Sequence, residues 1–266
     1  MSPEPSVVVG TYTRASDTFD ALPFWHHYGR RTVELAAVAA GERVLDLCSG
    51  TGASALPAAR AVGPAGAVMG VDLTPALVSI AGANAARQGL TWARFEAGDV
   101  TALDFPPASF DVVVSVFGIF FLDDMPAMLR NAWGWLAPGG RLVTTVWGKV
   151  VLTPGEPYFW EAVTGEDPSL DHISPAAKLA VPEALSELYA EAGVPGPAIA
   201  REQWRMPLAS PEAFWPVIMG TSNRGVFEAL APAAQARVKQ SVIERLRDER
   251  VDGLDMEALV AIARKT

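Results

Sequence analysis

Val44-Leu45-Asp46-Leu47-Cys48-Ser49-Gly50-Thr51-Gly52 is the stretch that decides the fold class of this 266-residue chain. A short apolar run, Val44 to Leu47, leads into a glycine-rich turn, and residues 53 to 61 continue as an alanine-rich helix. This order is typical of the first βαβ unit of a parallel sheet. The glycines let the backbone approach a ligand, and the amides at the helix start favour an anionic group.

Further strands follow the first at regular intervals along the chain. They are predicted at Ala67 to Val71, Trp92 to Ala97, Phe110 to Val116, Leu142 to Trp147, Arg201 to Leu208 and Leu259 to Ala263. Helices are predicted between them, one starting at Thr74 and Pro75 and another capped by Asp124. Because the first five strands alternate with helices, right-handed crossovers and a doubly wound, mostly parallel α/β sheet of seven strands are expected.

Acidic residues stand at the ends of the first three strands. Asp46 disfavours a pyrophosphate beside the glycine turn and attracts an ammonium, so a ligand with an amino acid moiety fits. Asp72, 20 residues after Gly52, can accept hydrogen bonds from both ribose hydroxyls. Asp99 can accept from an exocyclic adenine amine, while the Val100 amide can donate to the ring. S-adenosylmethionine (SAM) combines these groups in one molecule.

The ordered set of motifs resembles the class I SAM-dependent methyltransferases, in particular the ubiquinone/menaquinone-biosynthesis and natural-product subgroup. The resemblance covers about residues 12 to 148 and rests on VLDLCSGTG, GVDLT, EAGDV, FDVVVS and LAPGGRL. It implies a Rossmann-like methyltransferase fold, SAM as cofactor, and Phe19 as an aromatic that closes over it. The chain departs from the family's pattern at Cys48, where the motif often has glycine. The cofactor-binding residues so predicted are Phe19, Asp46, Cys48, Ser49, Gly50, Gly52, Asp72, Leu73, Asp99, Val100 and Ser115.

The whole chain is predicted to form one methyltransferase domain. Residues 1–40 form an N-terminal lid, in which a polar lead, Ser2 to Asp17, precedes a helix. Residues 41–148 form the SAM-binding core, and residues 149–266 form substrate-side insertions and the last strands.

The acceptor is predicted to be a small, largely hydrophobic metabolite, methylated at oxygen or carbon. A set of aromatic residues can line an apolar pocket for it. The set comprises Phe117, Phe120, Phe121, Trp147, Phe159, Trp160, Phe214 and Trp215. His26 and His27 are the candidate catalytic bases, with at most one facing the pocket, because adjacent helical residues point about 100° apart. His172 and Tyr28 are further candidates.

Several classes of partner and site are not expected. A formal net charge of −9 disfavours nucleic acid. The single cysteine, Cys48, excludes an internal disulfide and a multi-cysteine zinc site. Trp147-Gly148-Lys149 supplies no acidic ligand after the fifth strand, so no metal is expected. Residues 1–10 lack a signal-peptide pattern and no stretch approaches the roughly 18 apolar residues that span a bilayer, so a cytosolic protein is expected.

Two alternative functions stay open at this point. Gly50-Thr51-Gly52-Ala53-Ser54-Ala55 also satisfies the dinucleotide-binding pattern, and Asp72 stands at its ribose spacing, so an NAD(P)-dependent oxidoreductase is one. The other is a protein of the same fold that binds SAM but catalyses a reaction other than methylation.

Overall fold

The structure, a computed structural model, describes residues 5–170 and 175–266. Within these residues seven strands form one sheet. They are β1 (Arg43–Leu47), β2 (Ala67–Asp72), β3 (Ala93–Ala97), β4 (Phe110–Val116), β5 (Leu136–Trp147), β6 (Ala198–Pro207) and β7 (Gly253–Arg264). Their spatial order is β3-β2-β1-β4-β5-β7-β6. The strands β1 to β5 pair in parallel and β7 is antiparallel to both β5 and β6, which confirms the predicted doubly wound, mostly parallel sheet.

Helices cover both faces of the sheet. They are α1 (Pro5–Phe19), α2 (Pro23–Leu35), α3 (Ala55–Val62), α4 (Pro75–Arg87), α5 (Met125–Trp135), α6 (Gly155–Glu166), α7 (Pro182–Glu191), α8 (Phe214–Met219), α9 (Asn223–Ala229) and α10 (Pro232–Asp248). The Asp124 side chain caps α5 by accepting from the amide of Ala127 at 2.8 Å, as predicted. Thr74 precedes α4, but its side chain makes no capping bond there.

The core divides into two layers because successive strand residues point to opposite faces of the sheet. In β4, Val113 packs into the larger layer, and Val112 and Val114 pack into the smaller one with α3. All three are fully buried. This near-continuous apolar run is what a parallel strand covered on both faces requires.

Several of the predicted boundaries are wrong. β5 begins at Leu136 rather than Leu142, and β6 begins at Ala198 rather than Arg201. Residues 5–19 form α1 where a polar lead was expected, because this segment packs on α4, α8 and α9 and owes its helix to tertiary contacts more than to propensity. The last strand runs from Gly253 to Arg264 and is longer than predicted, since β5 and β6 pair with it on both sides.

The chain order of the sheet reverses between β1 and β4. In open α/β sheets, ligands bind outside the carboxyl ends of the strands at such a switch point. The turns that follow Leu47 and Val116 lie at this place, and they form the centre of the site described next.

Candidate active site

The turn after β1 has a strained backbone. Gly50 and Gly52 have positive φ angles of 53° and 89°, and Cys48 has a φ of 59°. A residue with a side chain seldom adopts this left-handed conformation, which explains physically why glycine is common in the family at the position of Cys48. Phe117, directly after β4, is a second such residue, with a φ of 55°. Strain of this kind concentrates at ligand-binding sites.

The turns after β1 and β4 pack directly on each other. A Cβ placed on Gly118 would lie 2.4 Å from the Cβ of Cys48 and 2.9 Å from its Sγ. Such distances are far below van der Waals contact, so only glycine fits at position 118. The Cys48 side chain is thus a packing element between two turns, and burial raises the pKa of its thiol well above the ordinary value.

Asp72 joins the end of β2 to the glycine turn. Its Oδ2 accepts from the amide of Gly50 and its Oδ1 from the amide of Thr74, each at 2.8 Å. Burial raises the pKa of Asp72, and these hydrogen bonds oppose the rise. A carboxylate has about four acceptor positions, so two donors leave room for the ribose hydroxyls.

Asp46 lies beneath the glycine turn and is fully buried. Its Oδ2 accepts from the Ser54 hydroxyl at 2.6 Å, and its Oδ1 has no partner among the described residues. Burial raises the pKa of Asp46 to about 7, with the hydrogen bond from Ser54 acting in the opposite direction. The carboxyl group is therefore poised to change its charge near neutral pH.

A cavity of about 410 Å³, here called the cofactor cavity, opens at the carboxyl ends of β1, β2 and β4. Eight of the predicted cofactor-binding residues line it, namely Phe19, Cys48, Ser49, Gly50, Asp72, Leu73, Asp99 and Val100. Asp46, Gly52 and Ser115 do not. Asp46 and Ser115 were expected to contact a ligand directly, but both side chains are enclosed beneath the turns that form the cavity wall.

The polar atoms around this cavity fit SAM. Ser49 Oγ, in the cavity wall, is buried without a partner in the described part of the chain, as expected where a ligand or its bound water completes the hydrogen bond. Asp99 Oδ1 accepts both the amide and the hydroxyl of Thr101, at 2.8 and 2.7 Å. Its other oxygen stays available for an exocyclic amine.

An aromatic lid lies over the cofactor cavity. Phe19 stacks on Trp25 with ring centroids 5.0 Å apart, and Tyr12 meets Phe19 and Phe121 edge to face at 5.9 and 6.0 Å. Burial, followed by the charge of Asp72, raises the pKa of the Tyr12 hydroxyl, so it stays protonated. Sequence reasoning missed Tyr12 because it did not predict α1. The seven-residue spacing of Tyr12 and Phe19, two helical turns, was the available signal.

A second cavity of about 630 Å³, here called the acceptor cavity, adjoins the first. Five residues line both cavities: Val8, Tyr12, Trp25, Phe117 and Phe121. Of the predicted aromatic set, Phe117, Phe120, Phe121 and Trp147 line the acceptor cavity. Phe159, Trp160, Phe214 and Trp215 do not. Phe159 and Phe214 are fully buried in the larger core layer, so their aromatic character serves packing.

The candidate histidines lie away from both cavities. The Nε2 atom of His26 lies 2.9 Å from the backbone oxygen of Asp20, and His27 stacks on Trp204 of β6 at 4.2 Å. Burial, then Arg30 and Arg31, lower the pKa of His27. His26 and His27 were predicted as candidate bases, with at most one facing the pocket, and neither lines a cavity because α2 directs the two rings toward Asp20 and β6.

Tyr28 and His172 are the two further candidates. Tyr28 is buried with its hydroxyl unpartnered among the described residues, and it lines neither cavity. His172 lies outside the described residues. In the ranges 5–170 and 175–266, no group of three histidine, cysteine or acidic side chains is placed to hold a metal ion. No helix in those ranges is long and apolar enough to cross a membrane.

Comparison with known proteins identifies the domain. Residues 44–140 match a family model described as a methyltransferase domain. Aklanonic acid methyltransferase DauC from Streptomyces sp. (strain C5) is 35% identical over 140 residues, which make up 52% of this chain and 64% of that protein. Nocamycin O-methyltransferase from Saccharothrix syringae is 27% identical over 249 residues, which make up 88% of this chain and 89% of that protein. The chain thus spans slightly less than two thirds of the first relative and most of the second.

Similarity to solved structures extends to proteins with another activity. The crystal structure of the [4+2]-cyclase SpnF aligns with 90% of this chain and with 80% of the SpnF chain, at 21% sequence identity and a TM-score of 0.54. Identity at this level shows a shared fold and nothing about the reaction. The match over residues 44–140 shows a methyltransferase domain in this chain, and the motifs at the strand ends are similar to those of the class I SAM-dependent methyltransferases.

Proposed function

We propose that this chain transfers the methyl group of SAM to an oxygen or carbon atom of a small, largely hydrophobic acceptor. The observation that supports this most strongly is the contact between two unlike cavities. One is lined by the glycine turn and by Asp72 and Asp99, and the other mostly by aromatic and aliphatic side chains. Tyr12, Trp25 and Phe117 line both cavities, and at this boundary a methyl group can pass from the cofactor cavity to the acceptor cavity.

The proposed roles of the cofactor-binding residues follow from the positions of their polar atoms. Asp72 accepts from the ribose hydroxyls, Asp99 accepts from the adenine amine and Val100 donates to the ring. Ser49 and the turn around Gly50 hold the methionine carboxylate, and Asp46 acts from beneath the turn as the charge that balances the ammonium. Asp46 acts through the turn, so we assign it a positioning role.

When bound, SAM supplies a methyl group already activated by a sulfonium. The protein therefore has to align the acceptor with that methyl group and exclude water, and alignment alone can supply much of the rate. Tyr12, Phe19 and Trp25 exclude water from the cofactor side, and Phe117 with Trp147, stacked at 3.7 Å, forms a rigid wall on the acceptor side.

In the same proposal, residues 1–40 are the lid, 41–148 the cofactor-binding core and 149–266 the acceptor-side part of one domain. The first part contributes Tyr12 and Trp25 to both cavities, and the third contributes Thr153, Glu156 and Val226 to the acceptor cavity. The cytosolic location and the absence of a nucleic-acid partner stay predictions from the sequence.

The test is calorimetric titration with SAM, S-adenosylhomocysteine and NAD(H), followed by a screen for transfer of labelled methyl groups to hydroxylated aromatic compounds. We expect micromolar or tighter binding of SAM and S-adenosylhomocysteine, no binding of NAD(H), and labelled product. Binding of NAD(H) alone would contradict the cofactor assignment. Binding of SAM with conversion of an acceptor but no transferred label would favour a non-methylating reaction on the same fold.

A further inference from the structure

The acceptor cavity contains an acidic side chain that the proposed function does not use. Glu156, in the first turn of α6, lines the cavity among mostly aliphatic and aromatic neighbours. Its Oε1 accepts from the side-chain amide of Asn223, a buried residue of α9, at 3.1 Å. The indole N–H of Trp160 also donates to the carboxyl group.

The partners of Glu156 in the described part of the chain are neutral. No arginine or lysine there forms an ion pair with it. Burial raises the pKa of Glu156, and the hydrogen bonds from Asn223 and Trp160 oppose that rise. Lys149 lines the same cavity, but it is exposed. Glu156 is half-buried. Carboxyl groups with limited access to water are normally paired or fully hydrogen-bonded, because an uncompensated one is costly. Glu156 keeps acceptor capacity that no described residue takes up.

We propose that Glu156 recognises a hydroxyl group of the acceptor by accepting its hydrogen bond. The inference rests on the proposed function, since it takes this cavity to be the acceptor's, and it narrows the substrate class to apolar molecules that carry a hydroxyl. Asn223 is a positioning residue, which fixes the carboxyl group through its amide. The aromatic walls bind the apolar body of the molecule, and Glu156 selects its orientation.

A purely structural role for Glu156 predicts a different result. An acidic residue in the first turn of a helix favours that helix, and the bond to Asn223 ties α6 to α9. If Glu156 did only this, its replacement would change the binding of all acceptor-sized molecules alike. Recognition of a hydroxyl changes only the molecules that have one.

The experiment measures the affinity of two probes, 1-naphthol and 1-methoxynaphthalene, by calorimetry in the presence of S-adenosylhomocysteine. The proteins are the full chain, Glu156→Gln and, as a matched control on the same helix, Glu161→Gln. Glu161 is paired with Arg245 at 2.6 Å, is largely exposed and lines neither cavity. In Glu156→Gln the single remaining oxygen accepts from Asn223, so acceptor capacity toward a ligand falls.

We expect the parent protein to bind 1-naphthol about tenfold more tightly than 1-methoxynaphthalene, the scale of one hydrogen bond to a charged group. Glu156→Gln should reduce this preference to less than about threefold without weakening 1-methoxynaphthalene, and Glu161→Gln should keep it. Equal binding of the two probes by the parent, binding of neither, or equal weakening of both in Glu156→Gln would overturn the inference.

Titration with S-adenosylhomocysteine alone separates the two proposals. A protein that binds it without preferring the hydroxyl contradicts the inference only, and a protein that prefers the hydroxyl without binding it contradicts the proposed function only.

Discussion

The two cavities are built in different ways. The cofactor cavity is formed mainly by turns that each directly follow a strand of the sheet, so its residues are set by short motifs. The acceptor cavity draws on distant parts of the chain, from Val8 in α1 through Trp147 at the end of β5 to Val226 in α9. The match to the methyltransferase domain ends at residue 140, before most of the acceptor side begins. Cofactor recognition is therefore local in sequence, and acceptor recognition is a property of the assembled fold.

The largest expected effect is that of the Asp46 charge on the free energy of unfolding. It sharpens the comparison of the two cavities, because on the cofactor side this charge should lower the stability of the ligand-free protein while it supports SAM binding. The pKa of Asp46 is raised to about 7 by burial, above its ordinary value of 3.8. A raised pKa stabilises the ligand-free protein fully below about pH 4, and this contribution is lost as the pH rises through 7. Asp46→Asn should remove this loss and raise the free energy of unfolding at pH 8 by about 2–4 kcal/mol.

Urea unfolding of the parent and of Asp46→Asn at pH 5 and pH 8 measures this effect. The variant should also bind SAM more weakly, because the charge that balances the ammonium is gone. An equal pH dependence of unfolding in the two proteins would show that Asp46 is not the titrating group.

Gly118→Ala tests whether the contact between the turns after β1 and β4 maintains the shape of the cofactor cavity. The added methyl group would lie 2.4 Å from the Cβ of Cys48, so one of the turns has to move. Overpacking of this kind costs about 1–3 kcal/mol, and S-adenosylhomocysteine affinity should fall with it. Gly134→Ala is the matched control, since its Cβ has nothing within 4 Å and it lies in α5. Thermal unfolding and calorimetry measure the stability and the cofactor affinity of both variants. If Gly118→Ala and Gly134→Ala behave alike, the contact between the two turns does not support the cofactor cavity.

Asp72→Ala tests the cofactor side by removing a ligand group and a clamp on the turn together. Loss of the acceptors for ribose and for the Gly50 amide should weaken SAM binding by about 1–3 kcal/mol, or roughly 5- to 150-fold. Asp72→Asn keeps one oxygen and should lose less. Unchanged affinity in Asp72→Ala, measured by calorimetry, would refute the ribose role.

The smallest effect should follow replacement of the two histidines by alanine. His26 and His27 line neither cavity, so S-adenosylhomocysteine affinity should stay within about 0.5 kcal/mol of the parent, as is usual for changes away from a site. Turnover with an acceptor found in the screen should be equally unaffected. A drop of tenfold or more in turnover, with cofactor affinity unchanged, would make one of them the base and break the separation of the two regions.

The predictability of each residue follows the same division. Asp72 and Asp99 were predictable because parallel strands all end at the same edge of the sheet, so the residues at their carboxyl ends lie close together. Asp46 was predicted at the strand end beside the turn, where β1 places it, but its full burial was not foreseeable from spacing. Tyr12 was missed because α1 depends on contacts with α4, α8 and α9, and its seven-residue spacing from Phe19 was the one local signal.

The aromatic residues show the limit of composition as a guide. Phe117, Phe120, Phe121 and Trp147 line the acceptor cavity, whereas Phe159 and Phe214 are fully buried in the core. Both groups consist of large apolar side chains, and sequence alone does not tell a cavity wall from a packed interior. His26 and His27 illustrate the same point, since helix rotation directed them toward Asp20 and Trp204.

By itself the sequence determined the alternation of the first five strands with helices, the mostly parallel sheet, and the acidic and glycine residues that point to SAM. These features follow from hydrophobic periodicity and from turn chemistry, which act over a few residues. Only the tertiary structure decided which aromatic side chains form the lid, that Asp46 lies below the turn, and that Glu156 and Asn223 meet in the acceptor cavity. These depend on contacts between segments up to some 200 residues apart, and such contacts form only when the whole chain packs around one sheet.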